Sequence, residues 1–260
     1  VRRFKKDVLN QIQGSFKERV ITIEKCDASL EEEHAFNIFT DMKLDMDKGG
    51  HAVAGQLFKT SLEKALFSSH AACIKSIDER VKKLEKKYDV DFSDIHKLNE
   101  RREALEKISP SSFSRYKRVL GLLKSNTYAW SAKKKDDRIV IFTERIETMK
   151  YLAANLRKDL QIREDAVQEL YGGMSDTEQQ RIVEEFGRDE SPIRILVASD
   201  VASEGINLHY LSHRLIHFDI PWSLMVFQQR NGRIDRYGQT ETPDIRYMLI
   251  KSSNEKIKGD

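Results

Sequence analysis

The chain has 260 residues, of which 39% are hydrophobic and 33% are charged. This length and composition allow a substantial buried core and exclude wholesale disorder. The formal net charge is only +3, so any nucleic-acid site must come from local clustering of charge. The two cysteines, Cys26 and Cys73, form no CxxC pair, and no apolar run is long enough to span a membrane. We therefore expect a cytoplasmic protein without a membrane partner.

Apolar residues recur at helical spacing through the first half of the chain, up to about residue 136. The predicted helices are Ser29–Leu44, Gln56 to about Ala72, Ile74–Lys87 as a continuation or a separate helix, Asp94–Ile108 and Phe113–Leu123. In the second of them, Leu57, Phe58 and Leu62 are expected to face inward. The many charges of residues 74–87 favour a solvated face, although a partner-binding helix is the alternative.

Strand and helix patterns alternate after residue 136. The predicted strands are Arg138–Thr143, Ala166–Leu170, Ile193–Ala198, Arg214–Asp219 and Asp244–Ile250. Between them lie a helix beginning near Ile146, a helix capped by Ser175 and Glu178, and a helix over Ser223–Gly232. Repeated strand–helix–strand units predict an α/β fold: a parallel sheet with helices on both faces, preceded by a mainly helical segment.

Three loops follow the carboxyl ends of predicted parallel strands, so they should lie at one edge of the sheet. Ligands of such sheets bind at this edge. They are Thr143–Arg145, Tyr171–Ser175 and Ser199–Asn207, and all are small, polar or glycine-rich. Small residues let a phosphate backbone approach, and their N–H groups can donate to it. The alternative is that these residues serve ordinary turn chemistry.

A second candidate site is the arginine-containing run Gln229–Gln239. Arg233 and Arg236 are three residues apart, so one helical turn would point both the same way. Two guanidinium groups on one edge can stabilise the charge that develops on a transferring γ-phosphoryl group. A basic helix end, with Asp235 as a local ion partner, is an equally good interpretation of the spacing.

Three histidines and two tryptophans are weaker candidates. His209, His213 and His217 are four residues apart, which on a helix would suggest a metal site. His217 falls in a predicted strand, however, so no metal site is expected. Trp130 and Trp222 could stack on bases, but packing in the core or at its rim is the favoured interpretation.

Four sequence runs together resemble the second RecA-like lobe of superfamily 2 helicases, in both order and spacing. They are IVIFT from Ile139, LYGGMS from Leu170, ILVASDVASEGINL over Ile195–Leu208, and QQRNGRIDRYGQ over Gln228–Gln239. The QxxxRxxRxGQ form of the last run resembles the Swi/Snf-type branch. The stretch Leu57–Ala72 resembles the inserted helices of bacterial members such as the ATPases that recycle RNA polymerase.

The resemblance implies roles for particular residues. Arg233 and Arg236 match arginine fingers, and Gln229 matches a glutamine that helps to position the nucleotide. Asp200, Glu204 and Gly205 fall in the motif that couples the nucleotide state to the nucleic acid. The positions implied to contact the nucleic-acid backbone are Thr143, Arg145, Gly172, Gly173, Ser199 and Ser203. Gly232 and Asp235 depart from the pattern of eukaryotic remodellers, which puts a histone substrate in doubt and favours a bacterial or archaeal member.

The resemblance also implies a domain organisation and an activity. Residues 1–26 would be the end of the first motor lobe and a connector, and residues 27–135 would form a helical subdomain. Residues 136–250 would form the second lobe, and residues 251–260 would be a tail. The two lobes together would use ATP and Mg²⁺ to translocate along double-stranded DNA, with RNA possible. The chain contains no GxxxxGK[ST] phosphate loop and no DExH motif, so we expect it to be inactive without the upstream lobe. The alternatives are a strand-separating helicase, or a non-catalytic module that binds a protein through the helical region.

Overall fold

A six-stranded parallel sheet forms the centre of the fold in the computed structural model, which describes residues 17–40, 52–86, 92–200 and 206–254. The strands are β1 (Val20–Asp27), β2 (Arg138–Thr143), β3 (Val167–Leu170), β4 (Ile195–Ser199), β5 (Ser212–His217) and β6 (Asp244–Lys251). Their order across the sheet is β1-β6-β5-β2-β4-β3, and every neighbouring pair is parallel. The carboxyl ends of all six strands therefore lie at one edge.

Strand β1 was not predicted, because residues 1–26 were interpreted as the end of another lobe and a connector. It pairs with β6 along its whole length, from Val20 opposite Asp244 to Asp27 opposite Lys251. Charged residues interrupt its apolar pattern, and one of them, Glu24, is buried between Arg118 and Arg246. Residues 20–26 thus belong to the sheet.

The helices are α1 (Leu30–Thr40), α2 (Ala52–Ser68), α3 (His70–Glu85), α4 (Phe92–Glu106), α5 (Ser114–Leu123), α6 (Ile146–Leu160), α7 (Asp176–Phe186) and α8 (Leu224–Asn231). Side chains alternate across the fully buried strand β2: Ile139 and Ile141 join the core on one face, and Val140 and Phe142 the core on the other. Helices α1 to α6 contribute to the first core, whereas α7 supplies Ile182 and Phe186 to the second. The prediction of a parallel sheet with helices on both faces is confirmed.

The predicted helix over Gln56–Ala72 is wrong in its extent, because the helix is interrupted at Ser69. This residue is extended, with φ −165° and ψ 160°, and its hydroxyl accepts a hydrogen bond of 3.0 Å from the amide of Ala72. The break separates α2 from α3. Leu57 was expected to face inward, but it is 67% exposed, whereas Leu62 is fully buried.

Other boundaries differ by a few residues. A short 3₁₀ turn over Glu164–Ala166 delays the start of β3 to Val167. Strand β5 ends at His217, so Asp219 lies beyond the strand that was predicted to contain it. The helix predicted over Ser29–Leu44 begins at Leu30, and its predicted residues 41–44 lie outside the described residues.

Helix α5 joins the helical segment to the sheet. The ring of Phe113, which precedes α5, packs edge-on against Phe218, with 5.6 Å between the centroids. The buried Arg115 guanidinium donates to the carbonyl of Phe218 at 3.2 Å and to that of Ser68 at 2.9 Å. These contacts attach the end of α2 to the carboxyl edge of the sheet. Of the helices that the structure describes, none is long and apolar enough to cross a membrane.

Candidate functional site

Asp219 lies just beyond β5 and is the centre of a buried group of polar side chains. Its Oδ2 accepts hydrogen bonds from the hydroxyls of Thr143 and Ser68, both at 2.6 Å. Its Oδ1 accepts a bond of 2.8 Å from the amide of Glu144. Asp219 is only 4% exposed, so these bonds replace the water that an ionised carboxylate would otherwise need. They join the loop after β2, the loop after β5 and the end of α2.

Arg230, near the end of α8, completes this group and is 0% exposed. Its Nε donates to Oδ1 of Asp200 at 2.5 Å, and its Nη1 donates to the carbonyl of Asp219 at 2.9 Å. Its Nη2 lies 3.6 Å from Oδ1 of Asp219. Two carboxylates thus compensate for the desolvation of one buried guanidinium. We call Ser68, Thr143, Asp219 and Arg230 the carboxyl-edge network.

His217 adjoins the network and is held in its neutral form. Burial, together with the positive charge of Arg230, lowers the pKa of His217 to about 3, against the hydrogen bond to Asn231, which raises it. That bond joins Nε2 of His217 to Oδ1 of Asn231 at 2.8 Å. A neutral imidazole avoids placing a second buried positive charge beside the guanidinium.

The two arginines predicted as fingers do not lie on a helix. Helix α8 ends at Asn231, and residues 232–238, which we call the arginine turn, follow it as turns. The helical argument for their common direction is therefore wrong. Arg233 and Arg236 nevertheless reach adjacent residues: Nη1 of Arg233 donates to the carbonyl of Ile206 at 3.1 Å, and Nη1 of Arg236 donates to Oδ1 of Asn207.

Further contacts fix the arginine turn. The amide of Leu208 donates to the carbonyl of Arg233 at 3.2 Å, and Ile234 is fully buried in the second core. Gly238 has a φ of +90°, a conformation that residues with a Cβ rarely adopt, and it closes the turn. The turn is thus packed against residues 206–208, the end of the run Ile195–Leu208 in which the predicted coupling residues fall.

The other predicted residues lie in different environments. The loop with Gly172 and Gly173 is exposed at the carboxyl end of β3. Thr143 and Ser199 are buried, so their side chains do not face a ligand at the surface. The partly buried Arg145 donates from Nη2 to the carbonyl of Ser61 on α2 at 3.3 Å. Gln229 is partly buried on α8. Ser203, Glu204 and Gly205 lie outside the described residues.

Of the carboxyl-edge network, only Thr143 was assigned a role from the sequence. Arg230 was quoted within the arginine-containing run but received no role, and neither Asp219 nor Ser68 was singled out. The available signal was a charged residue directly after an apolar strand, as in the run RLIHFD. Buried carboxylates at such positions need partners, but the partners come from distant parts of the chain and cannot be identified by spacing.

Part of the chain is similar to known proteins. Residues 114–238 match the helicase conserved C-terminal domain family. Over 124 residues the chain is 31% identical to the RNA polymerase-associated protein RapA of Vibrio campbellii, and over 124 residues it is 34% identical to the ATP-dependent helicase YqhH of Bacillus subtilis. Each match covers 48% of this chain, but only 12% of the first relative and 21% of the second.

Two solved structures share the fold. The C-terminal part of the Fun30 ATPase domain has a TM-score of 0.57 at 18% identity, covering 91% of this chain and 87% of that one. The Hef helicase domain of Pyrococcus furiosus also has a TM-score of 0.57, at 16% identity, covering 91% of this chain and 56% of that one. The sheet is therefore RecA-like. The match of residues 114–238 to the helicase conserved C-terminal domain family, together with the similarity to RapA, confirms the predicted resemblance to the second lobe of superfamily 2 ATPases.

Proposed function

We propose that this chain is the second motor lobe of an ATP-dependent nucleic-acid translocase. In this proposal Arg233 and Arg236 reach across a cleft to ATP held on a partner lobe, and Gln229 helps to position the nucleotide. ATP and Mg²⁺ would be bound mainly by the partner lobe. The contribution of this chain would be positive charge, presented where negative charge develops on the transferring phosphoryl group.

The observation that carries the proposal is the convergence of both arginines on residues 206 and 207. Arg233 is partly buried and Arg236 is exposed, so a ligand can approach this pair from solvent. The acceptors described for them include a carbonyl and a side-chain amide oxygen, which are neutral. A phosphate oxygen would be a stronger acceptor because charge-assisted hydrogen bonds are stronger than neutral ones. Exchange of acceptors would release the 206–208 segment and so couple the nucleotide to the loop after β4.

The nucleic-acid contacts are proposed for the loops at the carboxyl edge. The exposed Gly172 and Gly173 lie in the loop that leads into α7, near a helix N-terminus, where backbone N–H groups can donate to phosphates. Thr143 and Ser199 would act through the main chain of their loops, since their side chains are buried. Contacts of this kind favour no base sequence. We expect double-stranded DNA to bind this lobe weakly, with a Kd of about 10⁻⁴ to 10⁻⁶ M that weakens as salt rises.

A protein partner for the helical segment is a second candidate. RapA is named for its association with RNA polymerase, and the helical segment exposes Leu30, Leu57 and Phe92. This candidate requires neither the arginine turn nor nucleotide. It predicts that binding of the partner is unaffected by changes to Arg233 and Arg236.

The proposal is tested with Arg233→Lys and Arg236→Lys in the full-length protein that contains both lobes. Lysine keeps the charge but loses the planar fork of donors. We expect kcat for DNA-stimulated ATP hydrolysis to fall by about 10³- to 10⁵-fold with little change in ATP affinity, because fingers act mainly in the transition state.

Arg181→Lys on α7 is the matched control, since Arg181 is an exposed arginine paired with Glu185 on the same helix. Its turnover should equal that of the unmodified protein. Near-normal turnover in both finger variants, measured on folded protein, would show that the arginine turn is a basic surface and not part of a nucleotide site.

A further inference from the structure

An ion pair also attaches the arginine turn to the start of the edge strand β1, and sequence spacing does not suggest this contact. Nη1 of Arg19 donates to Oδ2 of Asp235 at 3.1 Å, across 216 residues of sequence. We propose that Arg19 and Asp235 are positioning residues, which hold the arginine turn in the orientation that Arg233 and Arg236 need. This inference rests on the proposed function of the two arginines.

The position of Arg19 is fixed by the strand that follows it. It directly precedes Val20, whose amide donates to the carbonyl of Pro243 at 2.8 Å. Val20 is also the first residue of β1 in register with β6, opposite Asp244. The guanidinium of Arg19 therefore extends from the residue next to a paired strand, and its bond to Asp235 links the arginine turn to the β1–β6 pair.

Asp235 is placed to transmit that constraint. It lies between Arg233 and Arg236 in sequence, and its amide donates to the carbonyl of Asn231 at 2.9 Å. Its side chain is 7% exposed, whereas that of Arg19 is 36% exposed. A carboxylate so nearly buried requires compensation by a positive charge.

The turn needs such an anchor because it has no regular helix to define it. Ile234 fixes its apolar side in the second core, and the charged bond from Asp235 fixes the polar side. With two anchors on adjacent residues, the backbone that carries Arg233 and Arg236 has little freedom to rotate. Loss of the polar anchor should therefore change the orientation of the two arginines without removing either guanidinium.

The structural part of the test uses nitrogen-15 NMR of the arginine Nε–Hε groups in the 260-residue chain. We expect Arg19→Gln and Asp235→Asn to shift or broaden the Arg233 and Arg236 signals in the same way. The charge-exchanged double variant, Arg19→Asp with Asp235→Arg, should restore them in part. Arg181→Gln breaks an exposed ion pair on α7 and should leave both signals unchanged.

The functional part measures ATP hydrolysis in the full-length protein. We expect Arg19→Gln to lower kcat about 10- to 100-fold with KM for ATP nearly unchanged, as misplacement of a catalytic group does, and Arg19→Lys to fall between it and the unmodified protein. Signals and kcat that match those of Arg181→Gln would overturn the positioning role. If Arg233→Lys itself leaves kcat unchanged, the proposed function fails, while the NMR comparison still tests the ion pair.

Discussion

The carboxyl-edge network and the arginine turn take their arginines from the same short run of sequence but use them in opposite ways. Arg230 is completely buried and interacts with the carboxylates of Asp200 and Asp219. Arg236 is exposed and donates to the neutral amide oxygen of Asn207. Burial, and not position within the motif, separates an arginine that stabilises the fold from one that can meet a ligand.

The end of α8 is the physical origin of the difference. Arg230 is on the last turn of the helix and faces the sheet, where Phe142 lies beneath its guanidinium, 5.7 Å from the ring centroid. After Asn231 the helix stops at Gly232, and beyond it Ile234 still enters the second core whereas Arg236 is exposed. The same residue type therefore meets low dielectric on one side of this boundary and solvent on the other, where its charge is much less costly.

The largest effect on stability is expected from Asp219→Ala. The change leaves the Arg230 charge with one carboxylate fewer and removes the acceptor of Thr143, Ser68 and the Glu144 amide. Breaking a buried, hydrogen-bonded charge pair typically costs about 3–5 kcal/mol. Urea unfolding of the chain, followed by circular dichroism, gives the free energy of unfolding.

Asp165→Ala is the control for this measurement, because Asp165 forms an exposed ion pair with Arg163. It should change the free energy of unfolding by less than about 1 kcal/mol. Equal losses for the two variants would mean that the carboxyl-edge network contributes no more than a surface ion pair.

The sheet and its loops could be predicted well where the pattern is continuous. Strand β2 coincides with the predicted Arg138–Thr143, because a strand buried on both faces is apolar throughout. The edge strand β1 was missed because Glu24 and Lys25 interrupt its pattern, and the two arginines that compensate for Glu24 are distant in sequence. The break at Ser69 was missed because neither proline nor glycine marks it.

The candidate site divides in the same way. Spacing and resemblance brought out Arg233 and Arg236, whose contacts with residues 206 and 207 lie within the predicted motifs. Asp219, Arg230 and Ser68 could not be related to one another, because α2, β2 and α8 supply their partners. A buried polar network depends on tertiary contacts that no local pattern contains.

The next largest expected effect is a dependence of the free energy of unfolding on pH, caused by the neutral His217 beside the network. Burial and the charge of Arg230 lower the pKa of His217 to about 3, against about 6.5 in an unfolded chain. The unfolded state thus binds the proton first, so stability falls as pH drops below about 6.5 and goes on falling toward pH 3, by up to about 1.4 kcal/mol per pH unit. The measurement is the free energy of unfolding between pH 7 and pH 4.

His217→Gln should reduce the slope of stability against pH by the contribution of about one bound proton. Some slope should remain, because burial also lowers the pKa of His70, to about 4. His34 lies outside the network, on α1, and His34→Gln serves as the comparison variant. If His217→Gln has the same slope as the unmodified chain, the imidazole does not remain neutral in the folded state.

A smaller loss is expected from Ser68→Ala, which removes a single hydroxyl from the network. That hydroxyl donates to Asp219 at 2.6 Å and lies 2.7 Å from the hydroxyl of Thr148. Removing one partner of a buried hydrogen bond costs about 1–3 kcal/mol. Thr60→Ala on the exposed side of α2, where the hydroxyl bonds only to the carbonyl of Gln56 among the contacts described, should cost less when both variants are unfolded with urea. Equal losses of unfolding free energy in the two variants would mean that the Ser68 hydroxyl contributes no more than an exposed one.

The most direct test of the division between the two regions is the free energy of unfolding of Arg230→Ala beside that of Arg236→Ala, by urea at neutral pH. The first change leaves Asp200 and Asp219 without their buried cation and should cost at least about 3 kcal/mol. The second removes an exposed guanidinium and should stay within about 0.5 kcal/mol of the unmodified chain. If Arg236→Ala destabilises the chain as much as Arg230→Ala, the arginine turn is part of the structural network, and the separation of the two roles is wrong.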